Sequence, residues 1–365
     1  MKIESKKNSL LQKLALSLGS AAFAAAALAQ APAEVESALA DYADNVVVAT
    51  YSKMGAAAVK LDKAVESLKK DPSDAKVAEA AGRWKEVRKQ WELSESFLFG
   101  PAAFASLDPK LDSWPLDRVQ LDAVLAQIDS GKLEIDAGYV RDYLGAALRG
   151  FHAVEYLLYR DGKPRKASDI TKGQMAYLAA ASRVIAEDCI ALEAWWGGSG
   201  ALSEEKAKYL EEAEIEVGKP YADEIKKAGK SGSRYGSQAE ALEEIVQGCV
   251  DIVTELAESK IGGPAKSGDP KECESLYSLT SLEDCRDNIL SVRASYEKIS
   301  PVAAAKSPDA DAKVKASIEK VLGALDAFKK PLSRSLGDKD ALNAAISACE
   351  ELSEALAKAQ ELVSK

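Results

Sequence analysis

From residue 33 onward, apolar residues recur at three- and four-residue intervals, the period of one buried face on an α-helix. The pattern predicts helices over 33–69, 74–97, 117–129, 137–159, 169–196, 203–228, 237–260, 280–298, 309–330 and 338–364. The punctuation agrees with it. Asp71-Pro72 ends the first helix, Ser73 can cap the second, and Gly100-Pro101 terminates that one. No useful length of strand-like alternation interrupts the series, so the chain reads as all-α. Gly197-Gly198-Ser199-Gly200 is the best boundary, and it divides the chain into two packed helical bundles, residues 30–200 and 201–365. One stretch resists the pattern. Residues 102–116 read as an irregular loop containing Leu111-Asp112-Ser113-Trp114-Pro115-Leu116. A long loop holding a Trp inside a helical protein is often functional.

The beginning of the chain follows a different grammar. Lys2, Lys6, Lys7 and Lys13 precede an apolar stretch from Leu14 to Ala29, which ends in Ala27-Leu28-Ala29 before Gln30. A basic start, an apolar middle and a small-residue exit describe a secretory signal peptide over residues 1–29. The stretch is short and Ser/Gly-interrupted for a membrane span. No Cys follows the cleavage site, which argues against a lipid anchor. The expectation is an exported, periplasmic protein, with association at the outer membrane left open.

Composition narrows the function. Across 365 residues, 48 Lys+Arg stand against 58 Asp+Glu, a formal charge of −10. That balance argues against nucleic acid or an anionic membrane as the main partner. The chain has five cysteines, an odd number, all beyond residue 188. Export permits disulfides, and Cys273 with Cys285 would clip a loop onto the following helix. Cys349, on an apolar helical face, reads as a free buried thiol.

The chain contains a single histidine, which excludes the two-histidine zinc sites of HExxH peptidases and carboxypeptidases. It sits in Gly150-Phe151-His152-Ala153-Val154-Glu155. On a helix, His152 and Glu155 are three apart and share a face. They can bind a metal, form a base–orienter pair, or simply hydrogen-bond inside a core. Their flanks are apolar, so Glu155 should be at least partly buried and in need of a partner or a proton. With one imidazole available, the other ligands must be oxygens or thiolates, and an oxygen-rich set suits iron or manganese better than zinc. Glu95 is a second carboxylate on an apolar stripe, sharing a predicted face with Trp91, Leu98 and Phe99, and it would need a cation, a metal or His152. Gly150 should keep its face slender for a close neighbour. Asp112 and Asp117 flank Trp114, and Asp117 reads as a helix cap. Trp195-Trp196 reads as packing at the seam. There is no Gly-x-Ser-x-Gly elbow, P-loop or dinucleotide fingerprint, so no nucleotide or organic cofactor is indicated.

These segments together resemble a known family. Gly150 to Glu155 is similar to the GxHxxE signature of the imelysin family, also called peptidase family M75. Trp91 to Pro101 resembles that family's Trp-x-x-x-Glu…Gly-Pro segment, Asp112 to Asp117 its Trp-Pro-Leu-Asp loop, and Ser233-Arg234-Tyr235 and Glu274 to Asn288 its C-terminal Ser-rich helix starts. The resemblance implies two helical bundles, an exported protein and a pocket at the GxHxxE face. It implies His152, Glu155 and Glu95 as metal candidates, with Trp114, Ser233 and Arg234 as further ligand-binding candidates. It also implies a role in iron uptake or regulation, with a metal ion or small metal-bearing ligand bound and a periplasmic or outer-membrane iron-uptake partner. The alternative it carries is a metallopeptidase that uses Glu155 or Glu95 as general base on a metal-bound water and His152 as ligand.

Overall fold

The computed structural model describes residues 33–364, so the expected signal peptide lies outside the described residues. The described residues form sixteen α-helices, which we number in order. α1 spans 33–42 and passes through a π-turn, Ala43–Val48, into α2, Ala49–Lys70. α3 is Asp74–Glu92, α4 Pro101–Phe104, α5 Leu107–Asp112, α6 Arg118–Asp129, α7 Ala137–Tyr143, α8 Gly150–Leu158 and α9 Lys172–Gly197. α10 is Glu204–Glu212, α11 Ala222–Lys226, α12 Gln238–Glu255, α13 Gly262–Ser267, α14 Ser281–Lys306, α15 Pro308–Asp326 and α16 Lys339–Val363. The only strands among the described residues are a two-residue hairpin, Tyr159–Arg160 against Lys163–Pro164.

Two bundles result. In the first, α2 packs against α3 and α9, and α6, α7 and α8 also rest on α9. In the second, α12, α14, α15 and α16 pack on one another. α10 and α11 follow the Gly-rich break but turn back onto the first bundle, contacting α9 and the Ala43–Val48 turn. α3 meets α14, and a 3₁₀ turn at Glu95–Phe97 is held between α12 and α14. One apolar cluster consequently runs from Leu39 through Trp84, Phe151 and Ile245 to Val363.

Caps explain many helix starts. Ser73 accepts from the Lys76 N–H, Asp117 from Gln120, and Thr171 with Gln174 closes a capping box. Four expectations need correction. The helix expected over 74–97 stops at Glu92, so Glu95 sits on a separate turn and does not continue the face of Trp91. The helix expected over 137–159 breaks at 144–149, and Gly150 begins a new helix with φ of +76°. A Cβ there would lie 2.3 Å from the Leu111 carbonyl oxygen. Gly150 is thus required by a left-handed backbone and a close approach of α5, not by a slender face within a continuous helix. The helix expected over 203–228 splits into α10 and α11, with Glu214 in the left-handed region and Pro220 between them. Finally, all five cysteines are free and buried; Cys273 and Cys285 form no bridge.

Candidate metal centre

The 102–116 stretch is compact. α4 and α5 fill it, and the Trp114–Pro115 peptide bond is cis. α5 ends at Asp112, which points into a buried ionic cluster between α3, α8 and the segment that precedes α14. Trp91 Nε1–H donates to Asp112 Oδ2 at 2.6 Å, and Trp84 Nε1–H donates to the Phe151 carbonyl at 3.0 Å, so two tryptophans of α3 align α5 and α8.

His152 lies at the middle of the cluster and is 2 % exposed. Its Nδ1 is 3.4 Å from Glu155 Oε2. The other oxygen of Glu155 accepts three hydrogen bonds: Tyr277 N–H at 3.0 Å, Ser278 N–H at 2.7 Å and Ser278 Oγ–H at 2.7 Å. Glu155 is therefore fixed from the second bundle and orients the imidazole. Nε2 faces the opposite way, 3.1 Å from Asp112 Oδ1 but without hydrogen-bond geometry, and 3.8 Å from Glu274 Oε1, beyond hydrogen-bond reach.

Two further cations share these carboxylates. Arg88 pairs with Asp112, with Glu92 at 2.5 Å and with Glu274 at 3.0 Å. Lys260 closes a π-turn, Leu256–Lys260, and lies 3.1 Å from Glu274, 3.7 Å from Glu95 and 3.8 Å from Glu92. Asn288 Nδ2–H also donates to Glu92, at 2.6 Å.

Charge is distributed unevenly through the cluster. Burial alone would raise Asp112, but Arg88 and His152 hold it below its usual value. Burial opposes ionisation of Glu274 as well, yet Lys260, His152 and Arg88 hold it well below the usual carboxylate range. Burial would depress His152, and the Asp112, Glu155 and Glu274 carboxylates outweigh it to hold the imidazole well above its usual value. Burial raises Glu92 despite Arg88 and Lys260, and raises Glu95 strongly despite Lys260. Asp112 and Glu274 are thus the ionised carboxylates beside the imidazole, whereas Glu95 sits where a proton is favoured.

Two overlapping triads result. Asp112, His152 and Glu274 bring one ligand atom each within 4.8 Å of one another, and Glu92, Glu95 and Asp112 do the same. The donor set of the first fits a metal that displaces the proton of the imidazolium: a buried imidazole nitrogen without a hydrogen-bond partner faces two ionised carboxylates. Trp114 is partly exposed and lines two clefts. One, of about 250 Å³, is lined by His152, Glu155, Glu274, Arg118, Lys271 and Tyr277 among others. The second, of about 210 Å³, carries Glu95, Asp108, Asp112, Glu255, Glu272 and Glu274 around Lys260.

Of the residues expected at the site, His152, Glu155, Glu95 and Trp114 come together here. Ser233 and Arg234 do not. Ser233 Oγ–H donates to the Glu224 carbonyl at 2.7 Å, and Arg234 stacks on Tyr221 and Tyr235, so both close the loop before α12. Sequence reading missed Arg88, Glu92 and Lys260, which look like ordinary helical charges, and did not single out Glu274. Asp112 was noticed only as a flank of Trp114.

The sequence model of the imelysin family, Peptidase M75, matches residues 47–359. The chain belongs to the imelysin family. It is 30% identical over 247 residues to iron-regulated protein A of Synechococcus elongatus, an alignment covering 68% of this chain and 60% of that relative's length. A crystal structure described as an iron-regulated protein A precursor from Parabacteroides distasonis superposes with a TM-score of 0.78 at 26% identity, covering 90% of this chain and 95% of that one. An imelysin-like protein from Psychrobacter arcticum shares the fold, with a TM-score of 0.63 at 14% identity over 91% of this chain and 93% of its own. Among the described residues, no helix is long and apolar enough to cross a membrane.

Proposed function

We propose that this imelysin-family chain is an exported iron-handling protein that takes the metal at Asp112, His152 and Glu274. One observation carries the reading: His152 Nε2 is buried, has no hydrogen-bond partner and is turned toward two carboxylates. One imidazole with two carboxylates is an oxygen-rich donor set, which suits iron over zinc. Glu155 would act one step back, holding Nδ1 so that Nε2 faces the metal, the arrangement usual for metal-bound histidine. Glu95 would stand next to the site and shape its charge rather than bind first. The iron-regulated names belong to the relatives; the donor set is what brings iron to this chain. Export rests on the Lys-rich start, the apolar stretch and Ala27-Leu28-Ala29.

The test is a calorimetric titration of the protein with Fe(II), Fe(III), Mn(II) and Zn(II) under controlled redox conditions, repeated on His152→Ala and Glu274→Gln. Stoichiometric iron binding that disappears in His152→Ala is expected. Iron affinity indifferent to both substitutions would overturn the proposal. Export is checked by sequencing the N-terminus of the secreted or periplasmic protein, which should begin at Gln30.

A further inference from the structure

We propose that the cleft over His152 takes a small polycarboxylate that binds together with the metal and completes its coordination. This inference rests on the metal reading above and names the chemistry of the second ligand. The argument starts from valence. The Asp112–His152–Glu274 triad offers three ligand atoms. An oxygen-preferring ion such as iron fills about six positions. Of the neighbouring protein oxygens, Asp112 Oδ2 accepts from Trp91, Glu155 Oε1 accepts from Tyr277 and Ser278, and Glu92 is held by Arg88 and Asn288, which leaves Glu95, 3.7 Å from Lys260, as the one further carboxylate of the two triads. Even with Glu95 added, positions remain that face open space.

That space is the cleft of about 250 Å³ into which His152 and Glu274 look. A molecule of about a dozen non-hydrogen atoms fits it. The lining selects an anion with an apolar backbone. Arg118 and Lys271 stand in its wall, and among the described residues neither has a carboxylate within ion-pairing distance. Arg118 leans over the Tyr156 ring, 5.7 Å from its centre, and hydrogen-bonds the Tyr277 side chain, which holds the guanidinium in place with no carboxylate paired to it. Trp114, Leu116 and Leu276 supply apolar surface. Glu155 and Glu274 in the same wall would repel a bare polycarboxylate, so the cleft favours the anion only when a metal lies between them. The cleft on the far side of Trp114 has the opposite character. Glu95, Asp108, Glu255 and Glu272 surround it, with Lys260 as the cation in its lining, so it suits a cation and excludes this class of ligand. Cation and anion thus meet at the triad from two sides of one tryptophan.

The test is equilibrium dialysis of the protein against radiolabelled citrate, with and without Fe(III), run in parallel with an iron titration. The variants are Arg118→Gln/Lys271→Gln, whose side chains line the cleft but are not part of the Asp112–His152–Glu274 triad, and His152→Ala. Citrate should be retained at one equivalent by the iron-loaded protein and not by the metal-free protein. The double variant should lose citrate retention by about tenfold or more in affinity, equivalent to about 1.4 kcal/mol, yet bind citrate-free iron as the unmodified protein does. Inorganic phosphate and bicarbonate are run as competitors; displacement of citrate by either at equal concentration would show a simple oxyanion site and overturn the polycarboxylate assignment. Iron bound with no citrate retained, citrate merely stripping the iron, or retention that survives the double variant would each overturn the inference and leave the metal reading standing. Absence of iron binding with and without citrate would remove both.

Discussion

The imidazole of His152 has two neighbours with different jobs. Glu155 is clamped by three donors from 277–278 and in turn sets the ring, while Asp112 and Glu274 face the free nitrogen. Substitutions should separate these jobs. Glu155→Gln keeps the shape but weakens the acceptor, so iron affinity should drop by about 10–100-fold with stoichiometry preserved. Glu274→Gln removes an ionised ligand and should cost more; equal losses in the two would mean that Glu155 binds directly. Gly150 answers to backbone instead. Any Cβ forces a left-handed non-glycine residue against the Leu111 carbonyl, so Gly150→Ala should lower unfolding free energy by roughly 3 kcal/mol or more in urea titrations. A neutral Gly150→Ala would show that α5 and α8 can separate, and the site with them.

Short, irregular elements assemble the candidate site, and long ones supply the frame. α5 delivers Asp112, the break at 144–149 frees α8 to present His152, and the Leu256–Lys260 π-turn brings in Lys260. π-turns inside helices often mark functional positions. Lys260 holds a permanent positive charge against Glu274, Glu95 and Glu92, so it occupies electrostatically the place that a metal would take. Lys260→Gln should therefore do two opposite things. It should destabilise the metal-free protein by about 3–5 kcal/mol, the usual cost of breaking a buried pair. It should also tighten iron binding and enlarge the rise in Tm on adding iron. A smaller rise than in the unmodified protein would show that Lys260 supports the site instead of competing for it.

In the whole molecule, one apolar cluster joins the bundles, so local ionisations register in global stability. Asp188 on α9 is an example away from the metal cluster. Burial pushes its carboxyl up from 3.8 to about 6, against the opposing pull of Arg149, which lies 3.2 Å away. The folded protein therefore holds this proton more tightly than the unfolded chain does. Its contribution is fully present below pH 4 and is lost as pH rises toward 6, by at most about 3 kcal/mol for such a shift. Asp188→Asn cannot ionise. Its stability relative to the unmodified protein should improve between pH 4 and pH 7, which urea unfolding at the two pH values would show. A pH-independent difference would contradict the sign.

Much of this protein was legible along the chain. The 3.6-residue period named most of the long helices, the caps at Ser73 and Asp117 fall where expected, and the unique histidine does lie beside Glu155, three residues on, in the buried cluster proposed as the site. These features are local, and local physics decides them. Glu95, though its helix stops short, still reached the cluster because its turn is held against α12 and α14, with Ser96 bonded to Ser291 and Ser295. What the chain could not show were the partners from far away. Glu274 and Lys260 come to His152 from more than a hundred residues downstream, and Arg88 from sixty upstream, as solvated-looking charges on amphipathic segments. Ser233 and Arg234 look equally suited to a site, yet fold onto their own loop. A charge reads as functional only when burial removes its water and leaves protein groups to replace it, and burial is settled by how the two bundles close on each other.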